Sequence, residues 1–266
     1  MSEQVVTFAK AGKVGTITLN RPPANSYEIE FMRQLGVAIG AAEADTAVRV
    51  IILRSASEKF FSAGADIKAF LANSTEDNMA MIHLAHGELS RMAASRKIYI
   101  AAINGHALGG GLEMALACDL RVAVDSGREG SRPYYLGLPE VTLGILPGNG
   151  GTQRLPRLIG ANKALEMMIL GERVTPQQAL ELGIVNKLFP AESFNEDVQA
   201  YAERIANGAS VAIGAIKRAV YDGLEMALAE GLALERDLIA PLYDTEDATE
   251  GFAAFSEKRE PVYKGR

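Results

Sequence analysis

Two short apolar runs open the chain, residues 5–8 and 14–19, with Ala11-Gly12-Lys13 between them, which predicts a β-hairpin. Over residues 27–44 the apolar positions Ile29, Phe31, Met32, Leu35 and Ile39 recur at helical spacing, so a helix is expected with one face turned inward. Val50-Ile51-Ile52-Leu53 follows, too short and too branched for a helix and apolar at every position, as a strand covered on both faces requires. A second helix is expected over 77–95, a strand over 98–103, a helix opened by Gly109-Gly110-Gly111, and a strand over 120–124. Strand, glycine-containing turn and helix in repeated order predict an α/β core.

The pattern changes after Gly150. Helical periodicity then dominates, with capping boxes expected at Thr175-Pro176-Gln177-Gln178 and Ser193-Phe194-Asn195-Glu196. Residues 211–243 are rich in Ala, Leu and Glu, but Gly214, Gly223 and Gly231 are costly inside a helix unless close packing compensates. The division expected is a core of residues 1–194 and a helical region of 195–266 that packs on a neighbour such as another copy of the chain.

Composition narrows the chemistry. The 266 residues carry 27 basic and 33 acidic side chains, net −6, without a basic block, which argues against a broad nucleic-acid or anionic-membrane surface. The longest uncharged stretch, 98–112, is 15 residues long and interrupted by glycines, too short to span a bilayer. With no apolar leader at the start, a soluble, cytoplasmic protein is expected. The single cysteine, Cys118, rules out an internal disulfide and reads as a buried small hydrophobe. His83, His86 and His106 lack metal-site spacing, so no metal is expected and the three are read as structural or solvent-facing.

Three glycine-rich turns remain, at 61–66, 105–111 and 146–151. None fits a dinucleotide fingerprint or a P-loop. Composition alone reads them as ordinary tight turns at strand ends. They also expose backbone N–H groups to a ligand, and the Gly109–Gly111 run opens a helix, where free amides and the positive dipole end favour developing negative charge. The first two turns could together form an oxyanion hole, in which each donor is worth about 3 to 4 kcal/mol of transition-state stabilisation. Glu113 and Glu140 are the acid–base candidates. Taken singly, each also reads as a helix-start residue or a surface charge; as a pair in unlike surroundings, one could hold its proton while the other ionises. No serine-hydrolase elbow occurs.

The ordered set Phe61-Ser62-Ala63-Gly64-Ala65-Asp66-Ile67-Lys68, Gly105-His106-Ala107-Leu108-Gly109-Gly110-Gly111-Leu112-Glu113, Pro139-Glu140 and Gly148-Asn149-Gly150-Gly151-Thr152-Gln153-Arg154-Leu155 resembles the enoyl-CoA hydratase/isomerase (crotonase) family over nearly the whole chain, from Ile17 to Arg259. The resemblance implies a spiral of ββα units with a C-terminal helical trimerisation region, assembled as a homo-trimer or a dimer of trimers. It implies an acyl-CoA thioester as substrate, with no separate cofactor because coenzyme A is part of it. Its carbonyl oxygen would be held by the amides of Ala63 and Gly110. The turn of Ala63, Gly64, Ala65, Asp66 and Ile67 would contact the CoA moiety, Gly148 would offer a further amide near the water, and Lys258 would approach the nucleotide end.

Having both glutamates resembles the hydratases, whereas many isomerases keep only the position matched by Glu140. The implied reaction is addition of water across C2=C3 of a trans-2-enoyl-CoA to give a 3-hydroxyacyl-CoA, in fatty-acid or related acyl-CoA degradation. Glu113 would be the base-side partner of the water and Glu140 the proton donor to C2. The alternatives are Δ3-Δ2-enoyl-CoA isomerisation, a specialised lyase or hydratase of the same family, and, remotely, a non-catalytic CoA- or RNA-binding relative; against the last, the helix of residues 77–95 contains only Arg91 as a basic residue. Four places depart from the family pattern: a longer stretch at 126–135, Ala69-Phe70, Asn149, and Ser26-Tyr27. They bear on the acyl group accepted.

Overall fold

The computed structural model describes residues 3–127 and 132–266. The hairpin forms as expected: β1 (Val6–Ala11) pairs antiparallel with β2 (Val14–Leu19). Helix α1 (Ile29–Ala44) and strand β3 (Val50–Ser55) follow. Then come the short β4 (Phe60–Ser62), α2 (Ile67–Ala72) and α3 (Thr75–Ala94), which begins at a full Ser74–Asp77 capping box. Strand β5 (Ile98–Ile103) leads to β6 (His106–Leu108) and α4 (Gly110–Leu116), and β7 (Leu120–Val124) leads to β8 (Leu136–Gly137) and one 3₁₀ turn at Glu140–Leu143. Helices α5 (Gly151–Ile159) and α6 (Ala161–Leu170), strand β9 (Arg173–Val174), α7 (Pro176–Glu181) and β10 (Lys187–Phe189) complete the core. The chain ends with α8 (Phe194–Ala206), α9 (Ser210–Gly223), α10 (Leu228–Ile239) and α11 (Glu246–Glu257).

The strands form two sheets. The larger runs β1-β2-β3-β5-β7-β10, and the smaller runs β4-β6-β8-β9. Strands β3, β5 and β7 are parallel neighbours in one sheet, and the strand after each, β4, β6 and β8, sits in the same order in the other. Each pair is then followed by helix, so the core is three successive ββα turns of a spiral. The apolar runs explain the larger sheet. Ile51, Leu53, Tyr99, Ala101 and Ile103 enter one core with α1, α3 and α4, while Val50, Ile52, Ile98, Ile100, Ala102 and Val122 enter a second core with α8. Period-two alternation therefore feeds two covered faces, which is why no polar position interrupts the runs.

Several expectations change. The small sheet and helix α2 were not foreseen, since strands of two or three residues carry no periodicity. A capping box at Ser193 does not form: its backbone (φ −115°, ψ 7°) is outside the extended region a cap residue adopts, and its hydroxyl bonds the Asp197 carboxylate at 2.7 Å. The Thr175 box does form. A boundary at 194/195 cuts through packed structure, because Phe194, Val198, Ala202 and Ala206 of α8 are buried against the large sheet. Packing on the core continues into α9, where Lys217 is buried and pairs with Asp119 at 2.9 Å. The glycines of the tail pack closely, as their cost requires: Gly231 lies against the Gly223 backbone, and Gly214 against the Arg96 carbonyl. The longer stretch at 126–135 falls partly on residues 128–131, outside the described residues.

Candidate active site

The site is made by repeating one junction. The smaller sheet is parallel from β4 through β6 to β8, so the segments that leave those strands, around residues 63–66, 109–113 and 139–140, emerge side by side at the same edge. Ligand sites gather at such carboxyl ends because the chain turns away there and leaves a crevice. The turns touch through backbone. A methyl on Gly64, which holds φ +89°, would lie 2.8 Å from the Leu108 carbonyl oxygen and 3.1 Å from the Gly110 nitrogen. Only glycine accepts both that dihedral and that approach.

The amides then sort themselves. Ala63 N–H donates to the Ala24 carbonyl at 2.9 Å, so it is spent and cannot serve as the oxyanion donor expected from the sequence. The next residues form a one-residue parallel bridge with Tyr27: Tyr27 N–H donates to Gly64 O and Asp66 N–H to Tyr27 O, each at 2.9 Å. In such a bridge the residue between the two bonds turns its own N–H to the opposite side. That residue is Ala65. Its amide has no acceptor among the described residues, and neither has the amide of Gly110 at the first position of α4. Both residues line a cavity of about 530 Å³ that also takes in Glu113, Glu140, Tyr27, Gly148 and Asn149. Most of its remaining wall is apolar, including Ile67, Phe70, Ile82 and Leu143, with Thr142 and Arg173 as polar exceptions, a lining suited to an acyl chain.

The two carboxyls face this cavity in different settings. Glu113 is 1% exposed, and its Oε1 accepts from the amides of Asn149 and Gly151, both at 2.7 Å. Burial pushes its pKa up; the two amides, then Arg154 and His86, oppose the rise. Glu140 is also buried, but its Oε2 has no partner among the described residues. Burial first and the nearby Glu113 second push its pKa up to about 7. A carboxyl with donors around it keeps its charge more readily than one without. Of the pair, Glu113 is the better anion and Glu140 the better acid.

Other residues named from the sequence divide. Gly64, Ile67 and Gly148 line the cavity. Gly148 is fixed by its own carbonyl, which accepts from His86 Nε2 at 2.7 Å. Asp66 does not line the cavity: its carboxylate caps α2 through the amides of Lys68 and Ala69 and pairs with Arg21 at 3.1 Å, which holds its pKa low. Lys258 caps α11 in a left-handed conformation and is not part of the cavity wall. Cys118 is buried, with its thiol pushed up to about 12, and takes no part. Among the described residues no three His, Cys, Asp or Glu side chains gather as a metal site, and no helix is long and apolar enough to cross a membrane.

Sequence reasoning missed the free amide of Ala65, and it noted Tyr27 and Asn149 only as departures. Those two departures touch, Asn149 Nδ2 donating to Tyr27 Oη. The usable signal was that two polar side chains appear at positions where small or aliphatic residues are usual, each beside a motif.

The family model for enoyl-CoA hydratase/isomerase matches residues 9–266. The chain is 40% identical to the 2,3-dehydroadipyl-CoA hydratase of Escherichia coli over 100% of both, and 36% identical to the short-chain-enoyl-CoA hydratase of Clostridium acetobutylicum over 96% of this chain and 95% of that one. Among solved structures, an enoyl-CoA hydratase of Geobacillus kaustophilus superposes with a TM-score of 0.94 at 42% identity, covering 100% of this chain and 98% of the other. The α/β spiral with two carboxyls at its strand ends is thus a crotonase-type acyl-CoA enzyme fold. The chain belongs to the enoyl-CoA hydratase/isomerase family.

Proposed function

We propose that the chain is an enoyl-CoA hydratase that adds water across C2=C3 of a trans-2-enoyl-CoA. The thioester oxygen is held by the free amides of Ala65 and Gly110. Glu113, as the carboxylate, takes a proton from water while its oxygen adds to C3; electrons move onto the thioester oxygen, and C2 then receives the proton of neutral Glu140. The product is a 3-hydroxyacyl-CoA. Proton exchange with solvent resets the pair, and no cofactor beyond the CoA of the substrate is needed.

The observation that carries this reading is the inequality of the carboxyls: one tied by two amides of the neighbouring loop, the other with one oxygen unpartnered and a pKa of about 7. Moving a double bond needs one such group, whereas hydration uses both. The test is direct. Incubation with crotonyl-CoA is expected to bleach the conjugated-enone absorbance and yield the 3-hydroxy thioester, and Glu113→Gln to slow hydration far more than double-bond migration. Unchanged hydration in that variant rejects the reading.

Assembly belongs to the same proposal. Ile216, Val220 and Leu224 of the α9 segment and Phe252 and Phe255 of α11 are between 51% and 88% exposed, an apolar surface that suits a homo-oligomer.

A further inference from the structure

The side chains of Tyr27 and Asn149 have no role in the reaction just described, yet they meet beside the Gly110 amide. They stand 122 positions apart in the chain, and Asn149 Nδ2 donates to Tyr27 Oη. Both side chains are buried and both residues line the cavity. The phenol oxygen is so close to Gly110 that a methyl on that residue would fall 1.7 Å from it. Because Asn149 donates to this oxygen, the phenol's own hydrogen is left with no acceptor among the described residues, and Asn149 Oδ1 is also bare. Reversing the carboxamide would satisfy the phenol hydrogen and strand both amide hydrogens instead. Either way the pair brings an unpaired donor to the wall of the cavity, which a fold keeps at a cost unless an acceptor arrives.

Burial, and after it Glu113 and Glu140, hold the phenol's pKa well above its ordinary value. The group therefore stays neutral and a donor. The backbone of Tyr27 is bonded on both sides to the turn that presents Ala65, so ring and amide are held in one unit.

We propose that the Tyr27 hydroxyl is a third hydrogen-bond donor to the thioester oxygen, joining the Ala65 and Gly110 amides, with Asn149 as its positioning residue. This rests on the acyl-CoA reading above. Isotope-edited infrared spectroscopy of a saturated acyl-CoA labelled at the thioester carbonyl reads the polarisation without turnover.

On binding to the wild type the carbonyl band is expected to move to lower frequency. Tyr27→Phe should lose part of that movement and lower kcat by about 10²-fold with little change in KM, as loss of one such donor does. Asn149→Ala should keep most of the band shift and lose less than about tenfold in kcat. Should Tyr27→Phe fail to fold, 3-fluorotyrosine at position 27, a stronger donor, should lower the band further. A wild-type band in Tyr27→Phe, or an unmoved band with fluorotyrosine, overturns the proposal. If the wild type hydrates enoyl-CoA while these probes show no effect, only the role of Tyr27 falls; if the wild type binds no acyl-CoA, both readings fall.

Discussion

Glu113 and Glu140 are the same chemical group on the same cavity, held by opposite kinds of structure. Glu113 sits in α4, every residue of which is buried, and it receives two amides from the loop that opens α5. Glu140 begins a single 3₁₀ turn whose other residues are exposed, Val141 by 42% and Leu143 by 56%, and one of its oxygens meets no partner. The rigid junction gives its carboxyl donors that favour the charge, and the thin one leaves an oxygen unpartnered and the pKa raised to about 7. The division of labour between acid and base proposed above thus rests on what surrounds each carboxyl.

Removing the fixed charge should cost most. Glu113→Gln keeps an oxygen for the Asn149 and Gly151 amides but cannot take a proton from water, so hydration should fall by about 10³-fold, within the usual range for a general base. Steady-state rates on crotonyl-CoA check this. A smaller loss than that of Glu140→Gln would reverse the roles assigned to the two junctions. The next effect comes from the rigid side as well. Gly110→Ala places its methyl 1.7 Å from Tyr27 Oη and 2.5 Å from Tyr27 Cζ, on a ring that is itself buried and bonded. The start of α4 must shift and carry the Gly110 amide with it, and kcat should drop by about 10²-fold. A variant with wild-type kcat would show that this junction yields more than its packing suggests.

How much of this could be read from the sequence depended on whether a signal was local. The runs at 50–53 and 98–103 were legible because a strand between two cores has no polar position to hide it. The small sheet was not, since β8 and β9 are two residues each and their pairing is decided by the spiral. Glu113 and Glu140 were picked out by composition only as candidates, and their pairing came from resemblance. The proposed oxyanion donors show the limit most sharply. Ala63 and Ala65 are the same residue in the same turn, and which amide is spent is decided by Ala24 and Tyr27, some forty positions earlier. Chain connectivity carries no mark of that choice.

The thin junction can be tested by pH. The folded-state pKa of Glu140 is raised from 4.5 to about 7, so the native state holds this proton more tightly than the unfolded chain. Its contribution to stability is fully present below about pH 4.5 and is lost as pH rises through about 7. A shift of that size corresponds to on the order of 2 kcal/mol after solvent screening is allowed for. Glu140→Gln lacks the titration. Denaturant unfolding at pH 5 and pH 8 should therefore show the variant gaining on the wild type by about that amount at the higher pH. No gain would mean that Glu140 is already ionised in the folded protein, and the proton donor must be sought elsewhere.

The smallest effect concerns the wall beside Glu140. Leu143 lines the cavity, yet it is more than half exposed, so Leu143→Ala should move global stability by no more than about 0.5 kcal/mol. Leu112, wholly buried in the rigid junction, is the matched control: Leu112→Ala should cost about 2 to 5 kcal/mol. The same Leu143 change should still be felt by substrate. Each methylene that loses contact forfeits up to about 0.8 kcal/mol, so KM should rise by a few-fold for acyl chains long enough to reach the wall and stay level for a four-carbon chain. Equal stability losses at Leu112 and Leu143 would erase the distinction between a rigid junction and a thin one. An equal KM change at every chain length would show that the acyl chain leaves by another side of the cavity.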